Sequence, residues 1–437
     1  MVSLGIAGQN QRMPELGPSP LTSGQELPVA AARAAIVALL RPITETQTVA
    51  LADALGRVLA ADLVSPIAVP AHDNSAMDGY ALHGSDLLAD APTALHALPG
   101  TVFAGTPYGG SVAAGHCVRI MTGAVMPAGL DTVVPIELCS VNGDTVTLRA
   151  GVLRTGENRR RRGEDLALGQ PALKAGQVLR PADLGLVASL GFAEVTVMRR
   201  LRVALFSTGD ELRNPGEPLP PGCIYDSNRA SLRAALVSLG VDVLDLGLVP
   251  DEPAALQATL EVAIAGADAV VTSGGVSMGD ADYTRDLLAR LGEVAFWKVA
   301  MRPGRPFAFG PLRGTAGRTP FLFALPGNPV AALVTFYAFA REALMVLAGA
   351  QPLPLPVLQA RSVAAIRKRP GRTEYQRAIV ETAAVGGWQV RLTGSQGAGI
   401  LRSMSEANAL IVLRHEQGSV AEGEMVDVWL FDGLLSH

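Results

Sequence analysis

Cysteine is scarce in this chain. Only Cys117, Cys139 and Cys223 occur, far apart and with no C-x-x-C pair, which argues against a disulfide framework or a structural zinc site. The six histidines are scattered and form no His-x-x-x-His pair, so a helical zinc site has no basis either. Charge is scarce too. Charged residues make up 17% of the chain and the net charge is −4, which lacks the basic footprint of a nucleic-acid binder. With 49% hydrophobic residues, the composition argues for folded structure rather than disorder. Few cysteines and the lack of a signal-peptide pattern point to the cytoplasm. One long uncharged run exists, the 22 residues Thr319 to Ala340, long enough to span a bilayer. Pro320, Pro326, Gly327, Asn328 and Pro329 interrupt it, so it reads as a buried strand, a tight loop and a core helix, with no membrane role.

What is present is a multidomain pattern, since 437 residues exceed one ordinary core. Residues 1–26 mix Gly, Pro, Gln and Ser without periodicity and read as a disordered leader. Residues 27–72 and 164–200 form an N-terminal linking domain, beginning with an alanine-rich helix over Pro28 to Leu40. Between them, 73–163 is a β-rich insert of short apolar pieces divided by Gly and Pro. From 201 to 350 strands and helices alternate, which predicts a doubly wound, mostly parallel α/β sheet with ligands at the carboxyl ends of its strands. A proline-rich linker, "QPLPLPVL", leads to a C-terminal β domain over 356–437.

The chemistry gathers in a few small-residue stretches. "TSGGVSMGDADYT" (272–284) follows a buried strand and precedes a helix, so it presents free N–H groups that suit a phosphate. Asp280 and Asp282 beside such a cradle make sense with a divalent cation between, or as actors in the reaction. "WKVAMRPGRPFAFG" (297–310) sets Lys298, Arg302 and Arg305 around a Pro-Gly turn, where two guanidinium groups can converge on one oxyanion. Phe307 and Phe309 directly follow that turn, which argues against a freely solvated loop. "LPGNP" and "STGDEL" end two further strands, the first opening a helix at Pro329. "DNSAMDGYA" (73–81) and the Thr122-Gly123 turn of "RIMTGAVMPAG" have no evident local duty. In "RRRRGEDL" the arginines read as solvated, whereas Glu164 and Asp165 after Gly163 are less easily dismissed.

In this order "DNSAMDGYA", "RIMTGA", "RRRGEDL", "LFSTGDEL", "IYDSNR", "TSGGVSMGDADYT", "WKVAMRPGRPFAFG" and "LPGNPVAALVTFY" resemble the molybdopterin molybdenumtransferase family, the bacterial MoeA type, similar also to the E domain of gephyrin. The resemblance runs from about residue 27 to the C-terminus. It implies insertion of molybdate into adenylylated molybdopterin at the dithiolene, with release of AMP and Mg²⁺ in support. By motif position it implies catalytic roles for Asp78, Thr122, Asp165, Glu211, Asp251, Asp282 and Lys298. It implies contacts to adenylylated molybdopterin from Ser207, Thr208, Ser273, Gly274, Gly275, Ser277, Asp280, Tyr283, Pro326, Gly327 and Asn328. Molybdate would meet Arg302, Arg305 and Arg372, and Mg²⁺ would meet Asp280 and Asp282. The family's form is a homodimer whose cleft lies between the α/β domain of one subunit and the insert of the other. Molybdopterin adenylyltransferase and cofactor-maturation proteins are further candidate partners. Two departures stand out: Arg302-Pro303-Gly304-Arg305 replaces the usual lysines, and Ala398 in "TGSQGAG" stands where serine is common. An adenylyltransferase would resemble only about 200–345, and nothing supports a receptor-clustering scaffold.

Overall fold

The computed structural model describes residues 26–274, 282–314, 318–351, 355–384 and 386–431; the side chains of residues 282–285 lie outside the description. A six-stranded sheet organises the α/β region, in the order Asp242–Val249, Arg202–Thr208, Ala269–Ser273, Phe321–Leu325, Pro306–Pro311, Ala295–Lys298. The first four strands are parallel; Pro306–Pro311 runs antiparallel to them, and the edge strand Ala295–Lys298, antiparallel to Pro306–Pro311, runs in their direction again. The strand Ala269–Ser273 is buried at every position, as a strand covered on both faces must be. Alternate residues serve opposite faces. Leu205, Val271 and Phe323 pack with the helices Val29–Leu39, Ser227–Ser238 and Pro329–Thr335. Phe206, Val270 and Leu322 pack with Pro253–Gly266 and Asp282–Leu291. The fold class expected from the strand–helix alternation is therefore present.

The uncharged run resolves as expected into the strand Phe321–Leu325, a Pro-Gly-Asn-Pro turn and a helix from Pro329 to Leu347 that includes a π-helical stretch, Phe336–Ala340. That helix is long and apolar enough to cross a membrane, but it sits in the core, with 83% of its most apolar window buried. Phe307 and Phe309 are buried beneath the Pro-Gly turn, and Phe307 stacks on Phe339 with centroids 5.2 Å apart.

A separate six-stranded sheet, built from strands between Gly79 and Leu148, forms the insert. Its entry and exit are zipped where Asn74–Ser75 pairs with Arg159–Arg160. The C-terminal region curls into a third six-stranded sheet in which Thr373–Thr382 pairs with Trp388–Leu392 and also with Ala409–Leu413. Its sixth strand is the short Met301–Arg302, which comes from the α/β region and lies beside Thr373 and Glu374. That junction brings the basic turn of the α/β region against the C-terminal sheet.

Candidate active site

The carboxyl ends of the parallel strands carry buried hydroxyls. Ser207, Thr208, Thr272 and Ser273 are all at most 7% exposed. Among the described residues, Ser207 Oγ and Thr272 Oγ1 have no hydrogen-bond partner. Such unpaired buried hydroxyls are uncommon in a folded interior. Gly274 follows at φ +91°, and a Cβ there would lie 2.5 Å from the Thr208 carbonyl oxygen. Only glycine lets these two strand ends approach so closely. Pro326, Gly327 and Asn328 close the neighbouring strand end, where Ser273 Oγ donates to Pro326 O at 3.3 Å.

Asn228, which sequence reasoning did not single out, ties the arrangement together. Its Nδ2 donates to Ser273 Oγ at 2.7 Å and to Gly327 O at 2.6 Å. It stands in the first turn of the helix Ser227–Ser238, whose cap is Asp226 accepting from the Arg229 N–H. The available signal was the "IYDSNR" stretch itself.

Sheet register sets the basic turn on the same edge. Ala308 pairs with Ala324 and Lys298 with Pro306, so Lys298, Arg305 and the Pro326 turn all end at one side of the sheet. Gly304 (φ +97°) packs on the helix Pro329–Thr335: a Cβ there would sit 2.3 Å from Thr335 Oγ1. On the C-terminal side, Ala398 O accepts from the Val330 N–H at 3.1 Å, so the "TGSQGAG" loop caps that helix with its backbone although it lacks the serine hydroxyl. Arg377, fully buried, holds this loop by donating to the carbonyls of Ser395, Gln396 and Gly397 and to Ser403 Oγ. Burial, with Arg302 nearby, pushes its guanidinium down to about 10, still charged at neutral pH.

Between the basic turn and the C-terminal sheet lies a cleft of about 900 Å³ lined by Arg302, Arg367, Lys368, Arg369, Arg372, Glu26 and Glu374, among others. Arg302 and Arg372 thus line one cleft, and Arg305 is tied to Arg372 through a shared carboxylate. Glu26, expected at the end of a disordered leader, instead pairs with Arg305 and Arg372.

The remaining candidates are placed as follows. Asp251 N–H donates to Asp210 Oδ1 at 3.2 Å, joining two neighbouring strand ends. Glu211 folds its carboxylate over Gly209, and its carbonyl accepts from Ile224. Asp165 is exposed, with its N–H bonded to Val69 O. In the insert, Thr122 donates both its N–H and its hydroxyl to Asp78 Oδ1, at 2.7 Å each. These bonds hold the Asp78 carboxyl below its usual range, the Thr122 N–H being the larger cause. The pairing corrects one expectation: Asp78 and Thr122 do have a local duty, namely each other. Gly275, Ser277 and Asp280 lie outside the described residues, as do the side chains of Asp282 and Tyr283. Among the described residues no group of three His, Cys, Asp or Glu side chains is arranged to hold a metal.

Strand ends bearing buried hydroxyls, beside an arginine-lined cleft, define a class: a multidomain α/β protein with a basic cleft at the edge of its central sheet. Comparison with known proteins narrows it. Residues 27–191 match the MoeA N-terminal region (domain I and II), 204–346 a probable molybdopterin binding domain, and 359–431 the MoeA C-terminal region (domain IV). A Haemophilus influenzae molybdopterin molybdenumtransferase is 40% identical over 90% of this chain and 95% of its own length. Molybdopterin molybdenumtransferase 2 of Mycobacterium tuberculosis is 38% identical over 89% and 95%. Gephyrin of Dictyostelium discoideum is 32% identical over 87% of this chain and 59% of its own. The molybdopterin biosynthesis moeA protein of Pyrococcus horikoshii superposes with a TM-score of 0.77 at 27% identity, covering 93% of this chain and all of that one. The chain belongs to the molybdopterin molybdenumtransferase family, enzymes of molybdenum cofactor biosynthesis.

Proposed function

We propose that the enzyme inserts molybdate into adenylylated molybdopterin at the dithiolene and releases AMP. The observation that carries this is the sheet register, which sets the hydroxyl-lined strand ends and the Arg302–Arg305 turn on one edge. The adenylylated end of the substrate binds over Ser207, Thr208, Ser273 and Gly274, with Asn328 beside them. Molybdate binds at Arg302, Arg305 and Arg372, whose fixed forks match its oxygens. The two dithiolene sulfurs replace oxygens on molybdenum, which leave as water. Hydrolysis of the phosphoanhydride frees AMP. Lys298 stabilises negative charge at the junction of the two subsites. Glu211 and Asp251 are the carboxylates at these strand ends that accept protons. Asp280 and Asp282 offer the oxygen-only donors that Mg²⁺ prefers, and with substrate phosphates would hold it there to neutralise the leaving group. We further propose a homodimer in which Asp78, Thr122 and Asp165 of one subunit face the cleft of the other. Cytoplasmic location, and contact with the adenylyltransferase that supplies the substrate, complete the reading.

The test is a division of labour. Each charge-assisted hydrogen bond is worth about 1.5–3 kcal/mol, so Arg302→Ala and Arg305→Ala should each raise the half-saturating molybdate concentration by roughly ten- to a hundredfold. Calorimetric affinity for adenylylated molybdopterin should change far less. Collapse of the nucleotide affinity with an unchanged molybdate dependence would mean that these arginines hold phosphate.

A further inference from the structure

The cleft assigned to molybdate already contains a carboxylate of the chain's own. Glu26 is fixed there by its neighbour: Leu27 N–H donates to Lys298 O at 2.7 Å, and Ala300 N–H donates to Leu27 O at 2.8 Å. The chain at Leu27 therefore runs as a strand-like bridge beside the basic turn. From that position the Glu26 carboxylate pairs with Arg305 and takes both Nε and Nη2 of Arg372 at 3.1 Å each. Its side chain is 18% exposed, whereas those of Arg305 and Arg372 are 50% and 46% exposed. The anion is the sheltered partner, and the two guanidinium groups close over it from different domains. That is the donor geometry an oxyanion would use.

We propose that Glu26 is an internal stand-in for the oxyanion substrate: it holds Arg305 and Arg372 in binding geometry and gives way when a tetrahedral dianion enters. The inference rests on the molybdate reading of these arginines. A dianion could not share the site with an ionised carboxylate without like charges in contact, so entry is an exchange. The molybdate affinity that is measured is therefore lower than the arginines alone would provide. Both ion pairs are part-exposed and of modest strength, so removing the competitor should tighten binding by about two- to thirtyfold.

The experiment is a calorimetric titration of the full-length chain with sodium molybdate alone, comparing wild type, Glu26→Gln, Arg305→Ala and the double variant, with a thermal melt of each. Tighter binding in Glu26→Gln that is lost again in the double variant supports the proposal. Unchanged or weaker binding in Glu26→Gln, while Arg305→Ala still weakens it, overturns the role of Glu26 and leaves the molybdate reading standing. If Arg305→Ala has no effect, or no form binds molybdate, both fall. Should Glu26→Gln fail to fold, Glu26→Asp keeps the charge but shortens its reach, and partial tightening is expected; none would overturn the proposal.

Discussion

Asn228 is the residue whose removal tests the strand-end architecture most sharply. Its amide donates two short hydrogen bonds, to Ser273 Oγ and Gly327 O, and so links two adjacent strand ends to the start of a helix. In Asn228→Ala both donors vanish. Gly327 is exposed and its carbonyl can find water, and the buried Ser273 Oγ keeps its bond to Pro326 O, so the loss is about 1 kcal/mol per bond, about 2 in all. For a unit the size of the α/β region each kcal/mol corresponds to about 2–4 °C, so its melting transition should fall by about 4–8 °C. Asn228→Asp is the informative companion, because a carboxylate oxygen would then face a carbonyl oxygen that now sits 2.6 Å from the amide nitrogen. Its charge would also stand beside the proposed phosphate cradle. Thermal unfolding by circular dichroism, combined with the KM for adenylylated molybdopterin, reads both effects. Asp should melt below Ala and raise KM further. A wild-type melting point and KM in Asn228→Ala, or an Asp variant no worse than Ala, would refute the reasoning.

Further outcomes follow from the same geometry. Gly274→Ala should abolish binding of adenylylated molybdopterin by calorimetry, because the new Cβ meets the Thr208 carbonyl oxygen at 2.5 Å and the strand end must shift; unchanged affinity would show that this approach is not part of the site. Thr122→Val removes one of two bonds that lower the Asp78 carboxyl, so ¹³C NMR should show Asp78 titrating higher, though still below its ordinary value because the Thr122 N–H remains. A lowered folded value means that Asp78 adds stability above the ordinary carboxylate range and loses it as pH falls through the folded value. In Thr122→Val this loss should be smaller in total and be complete at a higher pH, because the upper end of the window is set by the unfolded chain. Light scattering at micromolar concentration should give a dimer, and a monomer would remove the shared cleft.

Much of this was legible because its signals are local. The strand Ala269–Ser273 announces itself as an apolar run ending in glycine, and Pro329 marks the first turn of a helix. The basic turn is legible as Arg302-Pro303-Gly304-Arg305 running into the buried Phe307 and Phe309. The antiparallel pairing of the last two strands was not read, although the short 299–305 connection requires it, since a parallel crossover needs a dozen residues or more. Asn228 was missed because its partners lie 45 and 99 residues away. Glu26 was grouped with a leader whose composition has no period, while its partner Arg372 is 346 residues distant. Arg377 looks like an ordinary surface arginine until three carbonyls of one folded loop and the Ser403 hydroxyl enclose it. Asp78 and Thr122 seemed to lack a local role only because 44 residues separate them.

The central claim is that one cleft joins an adenylylated pterin to an oxyanion, and release of AMP from adenylylated molybdopterin by the purified enzyme tests it directly. The account predicts AMP release that rises with added molybdate to a plateau, and an Arg302→Ala enzyme that needs a much higher concentration to reach it. AMP release at the same rate with and without molybdate, or none at any concentration, would contradict it.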